Sequence, residues 1–355
     1  MDLHVVVMAG GSGERLWPLS RRSRPKPLLP VNGRETLLTA TLARARALAG
    51  ADRVWLVCTA QNAAELRRAS GLPRERVLVE PYGRNTGMAV GYAALAVARR
   101  APDATLLMLP ADHVIPDARA FAAAARRAAR AAHRAGALVT LGVRPTRPET
   151  GYGYLQLGAP AGRGHPGLHR VRRFAEKPDA ARARRYLASG DWLWNAGIFA
   201  WRADAILAEI ERHDTALARA LAALRRAPRL GRAVLERAYR RAPARSIDVA
   251  VLERSDRVWT LPIDFHWNDV GSWQALAGEL GVDGRASRVV AGEAWLEGAP
   301  GNLVWGAERP IVLLGVEGLV VIDAGDALLV ARLDRSSDVR RIVARLREAG
   351  RERLL

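Results

Sequence analysis

From Leu3 to about residue 280 the chain alternates short apolar runs with segments of helical spacing, and that alternation admits few architectures. Leu3 to Ala9 is a β-branched apolar run ending in glycines, which reads as a buried strand. Further strands are expected at Val54–Thr59, Val77–Val79, Thr105–Leu109 and Ala137–Val143. Helices are expected at Thr36–Ala49, Gln61–Ala69, Gly87–Arg99 and Ala118–Ala135. The βαβα order implies an α/β chain with a doubly wound, Rossmann-like sheet, mostly parallel. Such sheets bind ligands beyond the carboxyl ends of their strands. From Tyr152 to Trp201 shorter strands with glycine and proline punctuation suit an antiparallel insert forming a substrate wall. Arginine-rich helical sequence runs from Ala203 to about Arg241, and a strand is expected near Val258–Leu261.

After Gly281-Val282-Asp283-Gly284 the texture changes. Short valine and leucine runs recur at Asn302–Trp305, Ile311–Leu314, Leu319–Ile322 and Ala327–Ala331, with turn residues between them. This reads as a small all-β unit followed by a helix over Ser337–Arg353. The expected division is residues 1–283 and 284–355, packed together because no Gly/Ser/Pro-rich linker separates them.

Composition removes several classes. The residues are 49% apolar, enough for a sizeable core rather than disorder. The single Cys58 excludes an intramolecular disulfide and a cysteine zinc site, and in its apolar strand it reads as an inert core thiol. No apolar run approaches the ~20 residues of a membrane span. The first residues lack a signal peptide's basic start and cleavage site, so a cytoplasmic protein is expected. A formal charge of +19 raises nucleic acid as a partner. Its arginines are spread along the whole chain, however, without a basic tail, an RNA-binding aromatic motif or a zinc finger, so no nucleic-acid partner is expected. Of 55 lysines and arginines only Lys26 and Lys177 are lysine. A compact ammonium and a broad guanidinium fork are not interchangeable at a tight site, which marks both positions.

The strongest motif is Met8-Ala9-Gly10-Gly11-Ser12-Gly13-Glu14-Arg15-Leu16-Trp17-Pro18-Leu19-Ser20, followed by Pro25-Lys26-Pro27. Glycines directly after a first strand let backbone N–H groups face an anion closely, and Arg15 and Lys26 add charge. The plainer alternative is a glycine turn beside surface basics. The spacing is not a Walker A, and Leu16 replaces the third glycine of a dinucleotide fingerprint. Asp112 follows the buried strand Thr105–Leu109, and Asp269 lies in a tryptophan-flanked turn. Two lone aspartates suit Mg²⁺, which takes one or two carboxylates plus phosphates and waters; singly, each also fits a cap or turn.

These motifs resemble the sugar-phosphate nucleotidyltransferases, and in particular the mannose-1-phosphate guanylyltransferases. The resemblance runs through Arg15-Leu-Trp-Pro-Leu-Ser20, Glu80-Pro-Tyr-Gly-Arg-Asn-Thr86, Leu109-Pro-Ala-Asp-His113, Gly151-Tyr-Gly-Tyr154, Phe174-Ala-Glu-Lys-Pro178, Trp194-Asn-Ala-Gly-Ile-Phe199 and Asn268-Asp-Val-Gly-Ser-Trp273, in order over nearly the whole chain. Both lysines fall inside it. It implies a GT-A-like catalytic fold with a short C-terminal β-helix-like unit. It also implies GTP plus mannose 1-phosphate giving GDP-mannose and pyrophosphate, with Mg²⁺ held by Asp112 and Asp269. Gly10, Gly11, Gly13, Arg15, Lys26, Asn85, Thr86 and Asp112 are implied at the nucleotide. Gly153, Glu176, Lys177, Asn195 and Asp269 are implied at the sugar phosphate. Arg15, Lys26, Asp112, Lys177 and Asp269 would carry catalysis.

The chain departs from the family at Gly87-Met88, where a small residue and proline are common, and a more mobile base loop is expected there. His113 reads as structural rather than catalytic. Trp17, Trp194, Trp267 and Trp273 are expected to wall the pocket. The resemblance further implies a C-terminal unit packed on the catalytic domain, and it allows a homodimer contact. The isomerase domain of longer bifunctional relatives is not in this sequence, so synthesis of GDP-mannose without supply of mannose 1-phosphate is expected. The rivals are a thymidylyl- or uridylyltransferase acting on glucose 1-phosphate, and a non-catalytic nucleotide-sugar sensor.

Overall fold

The computed structural model describes residues 1–11, 13–30 and 35–355; Ser12 of the glycine motif lies outside them. The main sheet is built from β1 (Leu3–Met8), β2 (Val54–Thr59), β3 (Val77–Glu80), β4 (Thr105–Pro110), β5 (Leu138–Val143), β6 (Gly153–Pro160), β7 (His169–Glu176), β8 (Trp192–Arg202) and β9 (Val258–Ile263). Their order is β3-β2-β1-β4-β8-β5-β9-β7-β6. β1, β2, β3 and β4 pair in parallel, as do β5 and β9. The helices of this part are α1 (Leu37–Ala49), α2 (Ala63–Ser70), α3 (Asn85–Ala98), α4 (Ala118–Ala135), α5 (Ala180–Ser189), α6 (Ala203–His213), α7 (Thr215–Arg226), α8 (Arg232–Arg241) and α9 (Trp273–Glu279).

The sheet is mixed because β8 runs antiparallel between β4 and β5. The antiparallel strands expected between Tyr152 and Trp201 are present, but they are not all a separate wall of shorter strands. β6 and β7 do form an antiparallel flank, but β8 is a central strand with nearly every residue buried. A strand covered on both faces shows no alternation, so its sequence does not reveal whether it is central or peripheral.

Each face of the sheet carries its own core. One holds α1, α2 and α4; the other holds α3, α6, α7 and α8. α4 shows how the arginine-rich sequence sorts. Asp117 caps it by accepting from the Arg119 and Ala120 amides, and Gly136 ends it in a left-handed turn. Phe121, Ala125, Ala128 and Ala132 are buried, while Arg126, Arg127 and Arg130 face solvent. Much of the positive charge is thus a solvated helix surface.

Beyond α9, β10 (Arg288–Ala291), β12 (Leu303–Trp305), β14 (Leu319–Asp323) and β15 (Leu328–Arg332) form one sheet, and β11 (Ala294–Glu297) and β13 (Ile311–Leu314) pair in another. β10 and β11 were not expected. Parallel pairings stacked through Gly-containing turns give the β-helix-like form. The expected helix over 337–353 is shorter: α10 spans Val339–Glu348 and is followed by Gly350 in a left-handed conformation, φ 68°. This unit packs on the glycine-motif segment. Leu16, Trp17 and Leu19 share a core with Trp273, Trp305, Val320 and Val343, and Trp17 Nε1 donates to the Leu354 carbonyl at 2.8 Å. No helix among the described residues is long and apolar enough to cross a membrane.

Candidate active site

The carboxyl ends of β1 and β4 open onto a cavity of about 600 Å³. Gly10, Gly11, Gly13, Arg15, Lys26, Asn85, Thr86, Asp112 and Asp269 all line it. Residues far apart in sequence therefore converge where an α/β sheet binds ligands. Gly13 has φ +62°, and a Cβ there would lie 2.6 Å from Lys26 Cβ, so glycine is required for the turn to approach the Pro25-Lys26 segment.

Lys26 joins the two aspartates that line the cavity. It is buried, and its Nζ donates to Asp112 Oδ2 at 2.5 Å and to the Asp269 carbonyl at 2.7 Å. Burial alone would raise the Asp112 pKa, but the Lys26 ammonium, aided by His113, holds it below the ordinary value. Asp269 Oδ1 accepts from the Tyr152 hydroxyl at 2.7 Å and the Gly271 amide at 3.0 Å. Arg15 Nη1 donates to the Gly271 carbonyl at 3.2 Å. Each aspartate retains a second oxygen, and two such carboxylates beside a phosphate-sized space fit the donor set of Mg²⁺. Among the described residues no cluster of three or more histidine, cysteine or acidic side chains forms a metal cage.

His113 is buried, accepts from Trp267 Nε1 at 3.1 Å, and is pushed down to about 4 by burial. It is a neutral packing group at physiological pH, in line with the structural reading.

The remaining sequence-predicted residues form a second cluster beside the cavity rather than in its lining. Thr140 Oγ1 donates to Asn195 Oδ1 at 2.8 Å, and Asn195 Nδ2 donates to Asp248 Oδ1 at 3.0 Å. A Cβ on Gly153 would meet Glu176 Oε2 at 2.6 Å and Asn195 Cβ at 3.4 Å. Gly153 thus makes room for the Glu176 carboxylate. Lys177, at φ 48°, pairs with Glu176 Oε1 at 2.7 Å and is largely exposed. The two clusters touch through Gly197, which lines the cavity and donates its amide to Asn195 Oδ1.

Two acidic groups escaped sequence reasoning. Glu80, at the end of β3, is buried and lines the cavity; Tyr239 donates to its Oε1 at 3.0 Å, and its Oε2 lies 3.4 Å from where a Gly10 Cβ would be. Burial pushes it up to about 7. Asp248, in a π-helical turn over Asp248–Leu252, is likewise pushed up to about 7 by burial and by Glu176. Glu80 opens the Glu-Pro-Tyr-Gly-Arg-Asn-Thr motif, a sequence signal that carried no role until Tyr239 was placed against it. The π turn at Asp248 was itself a usable signal only once the fold was known.

Other expectations are corrected. Gly87 and Met88 lie buried in the first turn of α3, as the expected Gly87–Arg99 helix has them, so the mobile loop expected there does not include them. A Cβ on Gly87 would meet the Arg245 carbonyl at 2.8 Å, which explains the glycine. Asn85 stands at φ 61° at the start of that helix, and Thr86 Oγ1 accepts from the Ile247 amide at 2.9 Å. Trp194, Trp267 and Trp273 are buried packing residues outside the cavity lining, because aromatic area is worth most in the core; Trp17 lines a neighbouring cavity.

The chain is similar to known proteins over nearly its whole length. The family described as nucleotidyl transferase matches residues 4–280, and the MannoseP isomerase/GMP-like beta-helix domain matches residues 298–346. The alginate biosynthesis protein AlgA of Pseudomonas aeruginosa is 39% identical over 352 residues, covering 98% of this chain and 72% of that protein. A mannose-1-phosphate guanylyltransferase of Escherichia coli K12 is 38% identical over 360 residues, covering 98% and 74%. Among solved structures, a Thermus thermophilus protein described as a mannose-1-phosphate geranyltransferase has a TM-score of 0.89 at 38% identity, covering 98% of this chain and 100% of that one.

Proposed function

Because this chain belongs to the nucleotidyl transferase family, we propose that it transfers GMP from GTP to mannose 1-phosphate, giving GDP-mannose and pyrophosphate. The observation that carries the reading is the Lys26 ammonium held between Asp112 and Asp269 against the glycine turn. That arrangement is built to hold phosphates, and the names of the relatives supply the substrates.

The nucleophile is an oxygen of the sugar phosphate. A phosphomonoester loses its second proton with pKa about 6, so it is already mostly ionised at neutral pH and no general base is required. The obstacle is repulsion between two anions that must approach in line. Gly10, Gly11 and Gly13 let the backbone come close to the nucleotide phosphates. Arg15 and Lys26 screen their charge. Glu176, Lys177 and Asn195 hold the sugar phosphate, with Asp248 fixing the Asn195 amide. Asp112 and Asp269 would hold Mg²⁺, which supplies charge neutralisation at the transferring phosphoryl group. The sugar-phosphate oxygen attacks the α-phosphorus, the bond to the β-phosphate oxygen breaks, and pyrophosphate leaves with that electron pair.

Relatives named mannose-1-phosphate guanylyltransferase favour guanine over the thymine or uracil of the rival reading. The test is pyrophosphate release over a grid of nucleoside triphosphates and sugar 1-phosphates, with and without Mg²⁺. Release is expected to be greatest for GTP with mannose 1-phosphate; release in no combination would remove the enzyme reading.

A further inference from the structure

The C-terminal unit does more than pack against the catalytic domain: it places a cation in the cavity. α10 lies on the turn Glu14–Leu16, directly after the glycines. Val339 and Val343 of α10 are buried in the core shared with Leu16 and Trp17. That seating sets the helix rotation. Arg347 then reaches Glu14 Oε1 at 2.8 Å, and Arg340, one heptad earlier and so on the same helix face, lines the main cavity with Glu14, Arg15 and Gly271. Among the described residues the exposed Arg340 side chain makes no hydrogen bond or ion pair; Arg341 and Arg345 of the same helix are also unpaired, but Arg340 lines the main cavity and they do not, while Arg347 is held by Glu14. An unpaired guanidinium held at a cavity wall is suited to an anion that the cavity receives.

Its place in the cavity says which anion. On the proposed function Asn85 and Thr86 would face the base, and the proposed sugar cluster joins the cavity through Gly197. Arg340 comes instead from α10, the helix packed on the turn Glu14–Leu16 that follows the glycines, and it shares the cavity lining with Arg15. We infer that Arg340 binds the β- and γ-phosphates of the nucleoside triphosphate and the pyrophosphate they become, so that the C-terminal unit completes the leaving-group site. No proton moves to or from the guanidinium. It stabilises charge that accumulates on the leaving oxygen as the α–β bond breaks. This inference rests on the nucleotidyl-transfer reading, but not on which base or sugar is used.

The experiment compares wild type with Arg340→Ala, Arg340→Lys and the neighbouring Arg341→Ala, which removes the same charge from an exposed position outside the cavity lining. Titration calorimetry measures the Kd of magnesium pyrophosphate, and pyrophosphorolysis of GDP-mannose gives the KM of each substrate. A charge-assisted hydrogen bond to phosphate corresponds to about a tenfold change. Arg340→Ala should weaken pyrophosphate about tenfold in Kd and KM, with the KM for GDP-mannose unchanged. Arg340→Lys should recover part of the loss, and Arg341→Ala should behave as wild type. Unchanged pyrophosphate binding in Arg340→Ala, an equal rise in the KM for GDP-mannose, or wild type that fails to bind pyrophosphate would overturn the inference. If wild type binds pyrophosphate through Arg340 yet turns over neither GTP with mannose 1-phosphate nor GDP-mannose, the substrate assignment falls and the inference stands.

Discussion

Replacing Lys26 by methionine keeps most of the side-chain volume and removes one buried ammonium. That ammonium makes two hydrogen bonds, to Asp112 Oδ2 at 2.5 Å and to the Asp269 carbonyl at 2.7 Å. Each bond to a charged group contributes about 1.5–3 kcal/mol, so the loss is about 3 kcal/mol or more, equivalent to about a hundredfold in turnover if the same geometry holds the phosphates. A second effect follows. Burial already opposes ionisation of Asp112, and Lys26 is the main group that reverses it. Without Lys26 the Asp112 pKa should rise above its ordinary value, so the protonated fraction grows as pH falls. Lys26→Met should therefore lose about a hundredfold in kcat/KM at pH 8 and show a steeper decline towards pH 5 than wild type. Pyrophosphate release measured across that range, alongside a thermal melt to confirm folding, reads both effects. A folded variant with near-wild-type kcat/KM and an unchanged pH profile would refute the argument that Lys26 organises the cavity. Lys26→Arg should also lose about tenfold or more, because a broad planar fork does not fit the point-charge position that Nζ takes between Asp112 Oδ2 and the Asp269 carbonyl.

Three further outcomes are expected. Asp112→Asn should abolish most turnover while the melting curve stays close to wild type; normal activity in saturating Mg²⁺ would remove Asp112 from the metal site. Asp248→Asn should raise the KM for mannose 1-phosphate with little change in that for GTP, since Asp248 holds the Asn195 amide at 3.0 Å; equal changes in both would mean that the cluster serves the fold rather than the sugar. Glu80 is raised from 4.5 to about 7, so its ionisation costs stability above about pH 4.5, and that cost is complete above pH 7. Between pH 5 and pH 8, Glu80→Gln should accordingly gain up to about 3 kcal/mol relative to wild type in denaturant titrations, whereas parallel pH curves would contradict the raised carboxyl.

What the sequence disclosed depended on how local the cause was. β1, β2, β4 and α4 are legible because uniform apolar runs, caps and helical spacing act within a few residues. The central place of β8 was not legible because its partners β4, β5 and β6 are chosen by the assembled sheet, and a strand buried on both faces has no sidedness to read. β10 and β11 are four-residue strands with little apolar pattern, defined by parallel partners about 15 residues away. The same division holds in the site. Glycine after a strand, a lysine among arginines and an aspartate after a buried run announce themselves, and the structure brings Gly10, Gly13, Lys26 and Asp112 to one cavity, with Lys177 in the cluster beside it. Glu80 and Asp248 did not, since their perturbed acidity arises from burial, opposed at Glu80 by the Tyr239 hydroxyl and reinforced at Asp248 by Glu176. Arg340 is one arginine among many until the seating of Val339 and Val343 turns it towards the glycine turn.

The central claim is that a sugar-phosphate oxygen attacks the α-phosphorus of GTP in the Lys26 cavity. The most direct measurement follows ³¹P spectra of the protein with GTP, Mg²⁺ and mannose 1-phosphate carrying ¹⁸O in its phosphate. The account predicts GDP-mannose with the label confined to the mannose-linked phosphate and the bridge to its neighbour, and unlabelled pyrophosphate. Absence of GDP-mannose, or label appearing in pyrophosphate, would contradict it.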